Sequence, residues 1–281
     1  MYKKNIIITG TNGFLGKNVI NSLEKKFIIQ KLSFKRFGKI KDSKKEIYLD
    51  SYIKKHKPYA VVHLATCFSK KKNKETLQEC MKVNYFFSKI LYQVTVNNSV
   101  NKFIYTGSNY ENIRDSKKIY PYILSKKKLS IFLKKSNSKK TNLICLYLSN
   151  VYGENDKRKK ILKYLFKIRK TKNDINFKVF KTSKVNFIHV KDLVEIIKIC
   201  ILKNFLKKKL FFNIRFKKNF SLSRIILNFS KINKHISSEI VKSFDNNLEV
   251  DESDVFYKYK NFLYYKPKID INYWIKKKLS N

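Results

Sequence analysis

Glycine is scarce in this chain, with six in 281 residues, and proline is scarcer still at three. That scarcity, with 43% hydrophobic residues, excludes a collagen-like, low-complexity or disordered chain and describes a folded globular one. No apolar run approaches the roughly 20 residues that span a bilayer, and even the stretch from Leu193 to Leu206 is broken by Glu195, Lys198 and Lys203. The opening MYKK before three isoleucines imitates a signal peptide, but its apolar part is short and runs straight into a glycine turn. A cytoplasmic protein with no membrane partner is the expectation. Cysteine is limited to Cys67, Cys80, Cys145 and Cys200, too dispersed for a metal site or a disulfide framework. These read as buried thiols, and no metal is expected.

Acidic residues are few: 20 Asp and Glu face 64 Lys and Arg, for a formal net charge of +44. The lysines are spread over the whole length, as at Lys70 to Lys72, Lys126 to Lys128, Lys207 to Lys209 and Lys276 to Lys278, and no basic arm collects them. This pattern disfavours a nucleic-acid partner and reads as solvated lysine faces, although such a field would draw in a small diphosphate.

Three of the six glycines fall in one place, NIIITGTNGFLG from Asn5 to Gly16. Asn5 to Thr9 is a short apolar run of the kind buried on both faces of a parallel sheet. After it Phe14, Leu15, Val19, Ile20 and Leu23 recur at helical spacing. Gly10, Gly13 and Gly16 therefore lie in a strand-to-helix turn. Backbone there can approach a ligand closely, with helix N-terminal N–H groups aimed at a negative charge. A dinucleotide pyrophosphate site is the functional reading.

Further strand signals follow at Phe27 to Phe34, Glu46 to Leu49, Tyr59 to Leu64, Lys102 to Thr106 and Asn142 to Leu148, with helical patterns at about Glu75 to Asn97 and Tyr122 to Leu133. Repeated βαβ units predict an α/β protein with a Rossmann-type, doubly wound parallel sheet. Residues 1–150 form its dinucleotide-binding domain, and 181–204 return to it. Residues 151–281 are mainly a smaller, interleaved C-terminal substrate lobe, since no Pro/Gly/Ser linker separates the two.

At the end of the second strand an acid would accept from the ribose hydroxyls of NAD, whereas basic residues suit the extra phosphate of NADP. Ser33, Lys35 and Arg36 stand there with no acid, which favours NADP and leaves NAD as the alternative. Asp50, after the third strand, reads as an adenine-side contact or a helix N-cap.

Downstream, Tyr122 and Lys126 are four apart and share a helix face, while Ser108 ends a strand at the sheet edge that carries the glycine turn. A neighbouring ammonium is expected to lower the phenol's pKa from about 10, so that Tyr122 trades a proton with a carbinol or carbonyl oxygen that Ser108 holds. Lys126 is also within reach of the cofactor ribose. His63, His189 and Asp192 read as structural, and Trp274 with the Tyr/Phe cluster from Phe256 to Tyr265 as core of the smaller lobe.

TGTNGFLG, VVHLA at Val61 to Ala65, Asn84 in MKVNYF, FIYTGS, PYILSK, SNVYG at Ser149 to Gly153 and NFIHVKDL at Asn186 to Leu193 together resemble the extended short-chain dehydrogenase/reductases, the NAD-dependent epimerase/dehydratase family acting on nucleotide sugars. Carried over by position, the resemblance implies Ser108, Tyr122 and Lys126 as the catalytic set. It also implies Gly10, Asn12, Gly13, Phe14, Leu15 and Gly16 on the cofactor pyrophosphate, and Leu64, Ala65 and Asn84 as further cofactor contacts. Tyr152 to Leu165 and the short Ser108-to-Tyr122 gap are similar to the small sugar-nucleotide 4-reductases of the abequose and paratose synthase type. Asn150, Lys157 and Arg158 are then substrate-binding candidates. Dehydratases of this family usually carry an Asp-Glu pair after the catalytic hydroxyl, and here Asn109 and Tyr110 follow Ser108.

The resulting expectation is an NAD(P)-dependent 4-keto reductase of a nucleoside diphosphate sugar, serving lipopolysaccharide or other surface polysaccharide synthesis, and a homodimer by the family's habit. A nucleotide-sugar epimerase with tightly bound NAD is the alternative enzyme. A non-catalytic dinucleotide- or polyanion-binding scaffold is the alternative of another class.

Overall fold

A computed structural model describes residues 3–36, 39–42, 45–69, 71–112, 120–158, 160–180, 184–241 and 267–280. The aromatic cluster from Phe256 to Tyr265 lies outside the described residues. The described chain falls into two compact units. The first runs through Leu148 and takes in Val194–Asn213; the second takes Ser149–Leu193 and the described part from Ile214 onward.

The first unit is built on β1 (Lys4–Thr9), whose Ile6, Ile7 and Ile8 have no exposed surface. The chain continues through α1 (Phe14–Leu23), β2 (Phe27–Arg36), β3 (Lys39–Asp42), β4 (Lys45–Tyr48), α2 (Leu49–His56) and β5 (Ala60–His63). Next come α3 (Lys74–Cys80), a π-helical turn over Met81–Phe87, α4 (Ser88–Asn97) and β6 (Lys102–Ser108). A short 3₁₀ turn (Asn109–Asn112), α5 (Pro121–Lys135) and β7 (Asn142–Leu148) follow. The strand order is β12-β7-β6-β5-β1-β2-β3-β4, where β12 spans Lys209–Ile214. β2, β1, β5, β6 and β7 pair in parallel. The order reverses between β1, flanked by β2, and β5, so the carboxyl end of β1 sits at a topological switch point, where doubly wound sheets bind ligands.

Two elements were hidden in the sequence. The third strand signal belongs to an antiparallel hairpin, β3–β4, at the sheet edge. The apolar residues of α2, Leu49, Tyr52 and Ile53, pack into the main core, although lysines and a histidine crowd the helix. Asp50 lies in the first turn of α2, whose N-cap is Tyr48, and its carboxylate accepts from Asn98 Nδ2 at 2.8 Å and pairs with Lys54 at 2.7 Å.

In the second unit, β8 (Asn150–Tyr152) pairs in parallel with β11 (Phe187–His189). β9 (Ile175–Phe180) pairs with β14 (Ile236–Val241), and β10 (Lys184–Val185) with β13 (Phe220–Ser221). Its core gathers side chains from α6 (Ile161–Ile168), α8 (Leu222–Ser230) and α9 (Ile271–Leu279), with Trp274 packed against it. Asp192 lies in the first turn of α7 (Val190–Leu202), and its two oxygens accept from Lys268 N (3.1 Å) and Ile269 N (3.0 Å), which anchors the approach to α9.

Among the described residues two lysines of this very basic chain are buried, Lys102 and Lys126. Lys102 Nζ donates to the carbonyls of Cys200 (3.1 Å), Ile201 (2.7 Å) and Lys203 (2.6 Å), closing the C-terminal end of α7 where the helix dipole is negative. Burial lowers its pKa. Lys102→Met keeps the aliphatic stem and leaves those carbonyls without a donor, so a loss of about 2–4 kcal/mol in unfolding free energy is expected. Urea denaturation measures it, and an unchanged midpoint would mean that solvent takes over the ammonium's role.

Candidate active site

The turn after β1 is shaped by backbone proximity. Gly10 has φ +70°, and a Cβ there would lie 2.6 Å from Ala65 N and 2.7 Å from Leu64 C. A Cβ on Gly16 would collide with the Gly10 carbonyl oxygen and come within 2.7 Å of Thr11 Cα, so α1 can start this close to β1 only without a side chain. Gly13 is the N-cap of α1 and supplies no side-chain cap, so the helix's first N–H groups are not closed off by a capping side chain. A turn packed this tightly at Gly10 and Gly16, ending in a helix N-terminus with no capping side chain, fits a dinucleotide pyrophosphate. Asn12 and Gly13 on its rim are exposed, and Phe14 and Leu15 half-buried.

Across the turn, the N–H groups of Leu64 and Ala65 both donate to Thr9 Oγ1 at 3.1 Å. With that oxygen accepting twice, its proton goes to His63 Nδ1 at 2.7 Å. His63 Nε2 must then donate to Ser88 Oγ (2.7 Å), which in turn donates to Val83 O. Burial drives the imidazole's pKa down to about 3, so the ring is neutral and structural.

Ser33, Lys35 and Arg36 fall at the end of β2; Ser33 is exposed, and the side chains of Lys35 and Arg36 lie outside the described part.

Ser108 closes β6, and Pro121 opens α5 at its first position, a place where the missing N–H costs nothing. Tyr122 one residue later has its phenol close enough to the Ser108 side chain for that hydroxyl to favour the phenolate, while Ser108 Oγ itself accepts from Tyr110 N at 3.3 Å. Lys126, one turn on and 3% exposed, donates from Nζ to Thr106 O at 2.8 Å and sits 4.6 Å from the centre of the Tyr105 ring. All three expected catalytic side chains thus gather at the carboxyl end of β6.

The electrostatics run against the expectation for Tyr122. Burial, then the charge of Glu111, raises the phenol above its ordinary pKa, and the nearby Ser108 hydroxyl offsets this only in part. The Lys126 ammonium points to a carbonyl instead, and burial lowers its own pKa to about 8. Near neutral pH Tyr122 is therefore a protonated phenol, suited to giving a proton.

In the second unit, Asn150 donates through Nδ2 to Asn186 O at 3.2 Å, and Lys157 is exposed. Arg158 is clamped: Nε reaches Asp156 Oδ1 at 2.7 Å, and one terminal nitrogen reaches Asp156 Oδ2 at 2.6 Å and Val151 O at 2.8 Å. Among the described residues no helix is long and apolar enough to cross a membrane, and no cluster of three His, Cys, Asp or Glu side chains gathers for a metal.

Residues 6–214 match the NAD dependent epimerase/dehydratase family. The chain belongs to that family. It is 26% identical over 215 residues to CDP-abequose synthase of Salmonella muenchen, covering 68% of each protein. In fold it resembles the Bordetella bronchiseptica enzyme WbmG in complex with NAD and UDP, with a TM-score of 0.76, 17% identity, and coverage of 99% of this chain and 94% of the other. It also resembles the UDP-N-acetylglucosamine 4-epimerase of Methanobrevibacter ruminantium, with a TM-score of 0.74, 16% identity, and coverage of 100% and 98%.

In this epimerase/dehydratase-family chain, two side chains matter more than their sequence signal suggested. Asn84, expected as a cofactor contact, is 1% exposed inside the π-helical turn. Its Oδ1 accepts from Cys67 N (2.7 Å) and Thr66 Oγ1 (3.1 Å), and its Nδ2 donates to Cys67 O (2.9 Å) and Ser125 Oγ (3.0 Å). That amide is fully used within the chain, tying the loop after β5 to α5.

The other is Glu111, which the sequence reading passed over. Its carboxylate accepts from Ser108 N (2.6 Å), Tyr105 OH (3.4 Å) and Ser130 Oγ, and is 3% exposed. It also explains Gly107, where a Cβ would stand 2.9 Å from Glu111 Oε1 and 2.7 Å from Tyr147 Cδ1. The only sequence trace was a carboxylate three residues after Ser108.

Burial raises the Glu111 pKa from 4.5 to about 7, against the favourable charge of Lys126. A folded-state pKa above the unfolded one means this group's contribution is complete below the unfolded value and is lost as pH rises through the folded value. Relative to Glu111→Gln, the wild type is expected to lose up to about 1.4 kcal/mol of unfolding free energy per pH unit within that window and nothing outside it. Denaturant titrations across the window measure the difference, and a flat line would assign the proton elsewhere.

Proposed function

We propose that this chain is an NADP(H)-dependent reductase acting on a 4-keto sugar of a nucleoside diphosphate. The observation that carries the reading is the Tyr122 phenol close to the Ser108 side chain, with Lys126 one helical turn behind it and the glycine turn at the same edge of the sheet. Sequence kinship to a CDP-abequose synthase, and the missing Asp-Glu pair after Ser108, favour reduction over water elimination. Ser33, Lys35 and Arg36 with no acid at the end of β2 support the phosphorylated dinucleotide. Gly10, Gly13 and Gly16 would hold its pyrophosphate.

When bound, the nicotinamide supplies the hydride. The chain's own part is positional and protonic. Ser108 Oγ holds the carbonyl oxygen of the sugar, and Tyr122, protonated because burial raises its pKa, donates to that oxygen as charge develops on it. Lys126, cationic below about pH 8, helps to offset the phenolate left behind. Glu111 acts through Ser108 by holding its backbone N–H. In the second unit, Asn150, Lys157 and Arg158 are proposed to contact the nucleotide sugar. The Asp156 clamp presents Arg158 in one orientation and damps its charge.

A second reading is an epimerase with permanently bound NAD, favoured by the fold shared with the UDP-N-acetylglucosamine 4-epimerase. A thermal-shift panel of NAD, NADP and CDP-, dTDP-, UDP- and GDP-sugars identifies the ligands by stabilisation. With the best 4-keto substrate, stoichiometric NADPH consumption is expected. Tyr122→Phe is expected to lower kcat by about 10²–10⁴ while NADPH still binds. Protein purified with NAD already bound, turning over with no net consumption of NADPH, would replace the reductase with the epimerase.

A further inference from the structure

Two of the four cysteines, 13 residues apart, meet in space. Cys67, half-buried on the loop after β5, has its Sγ 3.3 Å from Sγ of Cys80, the buried last residue of α3. The Cys80 thiol also points at the Cys67 carbonyl, 3.7 Å away. Sulfurs at van der Waals contact need to close by only about 1.3 Å to reach the roughly 2.05 Å of a disulfide. The other two cysteines, Cys145 and Cys200, are fully buried, so an oxidant in solution meets Cys67 first.

We propose that Cys67 and Cys80 form a redox-active pair that a small disulfide such as oxidised glutathione converts to an intramolecular disulfide, and that this bond acts on the adjoining dinucleotide site. Cys67, as thiolate, attacks one sulfur of glutathione disulfide and expels one glutathione, which takes up the proton Cys67 gave. Cys80 Sγ then attacks the Cys67 sulfur of the mixed disulfide, loses its proton to solvent, and expels the second glutathione. Two protein thiols are oxidised by two electrons, and one glutathione disulfide becomes two glutathione thiols. Burial and the Cys67 contact push the Cys80 thiol up to about 12, which leaves the first attack to Cys67; the 3.3 Å approach of the two sulfurs is what lets Cys80 resolve the mixed disulfide.

The link to the site is structural. Asn84 grips Cys67 through both its N–H and its carbonyl, and also binds Ser125, whose hydroxyl donates to Tyr122 O at 2.9 Å. Phe68, next in the chain and 60% exposed, packs edge-on against the Tyr122 ring with centroids 5.0 Å apart. Drawing Cys67 toward Cys80 therefore pulls on the Asn84 hydrogen bonds and on the ring that leans on Tyr122. This consequence rests on the dinucleotide reading; the formation of the bond does not.

The test is a titration of the whole protein with glutathione disulfide, followed by thiol counting and peptide mapping. Four free thiols are expected to become two, with Cys67 and Cys80 in one linked peptide; Cys80→Ser is expected to stop at glutathione held on Cys67. Wild-type protein that carries persistent glutathione on Cys67, or that keeps all four thiols in excess oxidant, overturns the pair without any variant having to fold. NADPH fluorescence titration of reduced and linked wild type reads the coupling, with affinity expected to weaken at least about five-fold on linking. Equal affinities would overturn the coupling. Failure of the reduced protein to bind NADPH would count against the functional reading alone.

Discussion

Four hydrogen bonds to one buried amide, that of Asn84, hold the candidate site together. The amide faces the loop after β5 on one side and Ser125 of α5 on the other. With both lone-pair directions and both N–H groups used, neither partner can move without leaving a buried polar group unpaired, at a cost of about 1–3 kcal/mol. The π-helical turn makes this possible. One extra residue in the turn places Asn84 where a regular helix through Glu75 to Asn97 would not, and such turns recur at functional sites. Tyr122 and Lys126 are thus carried on a helix whose first turns are pinned from below, so the orientation of the phenol is decided before any ligand arrives.

Beneath that layer lies a set of buried polar groups, each of which does one job. His63, neutral, joins β1, β5 and α4 through Thr9 and Ser88. Glu111 holds the end of β6, and Lys126 faces both Thr106 O and the Glu111 charge. Lys102 closes the end of α7. In a chain of formal charge +44, Lys102 and Lys126 are the lysines buried among the described residues, and both donate to backbone carbonyls. Glu111 and Lys126 also shape the chemistry. Burial, with the Glu111 charge added to it, raises the Tyr122 pKa and keeps the phenol protonated.

The strand of three isoleucines, the glycine turn, the alternating β and α signals and the i, i+4 placement of Tyr122 and Lys126 were all legible in the amino-acid order. Each is a local pattern: periodicity, chain reversal, or spacing on one helix. The doubly wound parallel sheet followed from repeated βαβ units, while the strand order with its reversal at β1 came from the structure. What escaped was non-local or disguised. The β3–β4 hairpin and α2 were masked by lysines that coat both polar and apolar stretches alike. Glu111 looked like one more surface acid until folding buried it under Ser108. The lowering of the Tyr122 pKa expected from the nearby lysine is reversed because Lys126 is turned to the Thr106 carbonyl and desolvation outweighs it.

By itself the sequence determined the architecture and named the candidate site residues, because apolar periodicity, glycine placement and helical spacing act over neighbouring residues and need no knowledge of distant ones. Only the tertiary structure decided the protonation state of Tyr122, the supporting roles of Asn84 and Glu111, the clamp on Arg158 and the meeting of Cys67 with Cys80. Those depend on desolvation and on contacts between residues far apart in the chain, quantities that exist only once the chain has closed on itself.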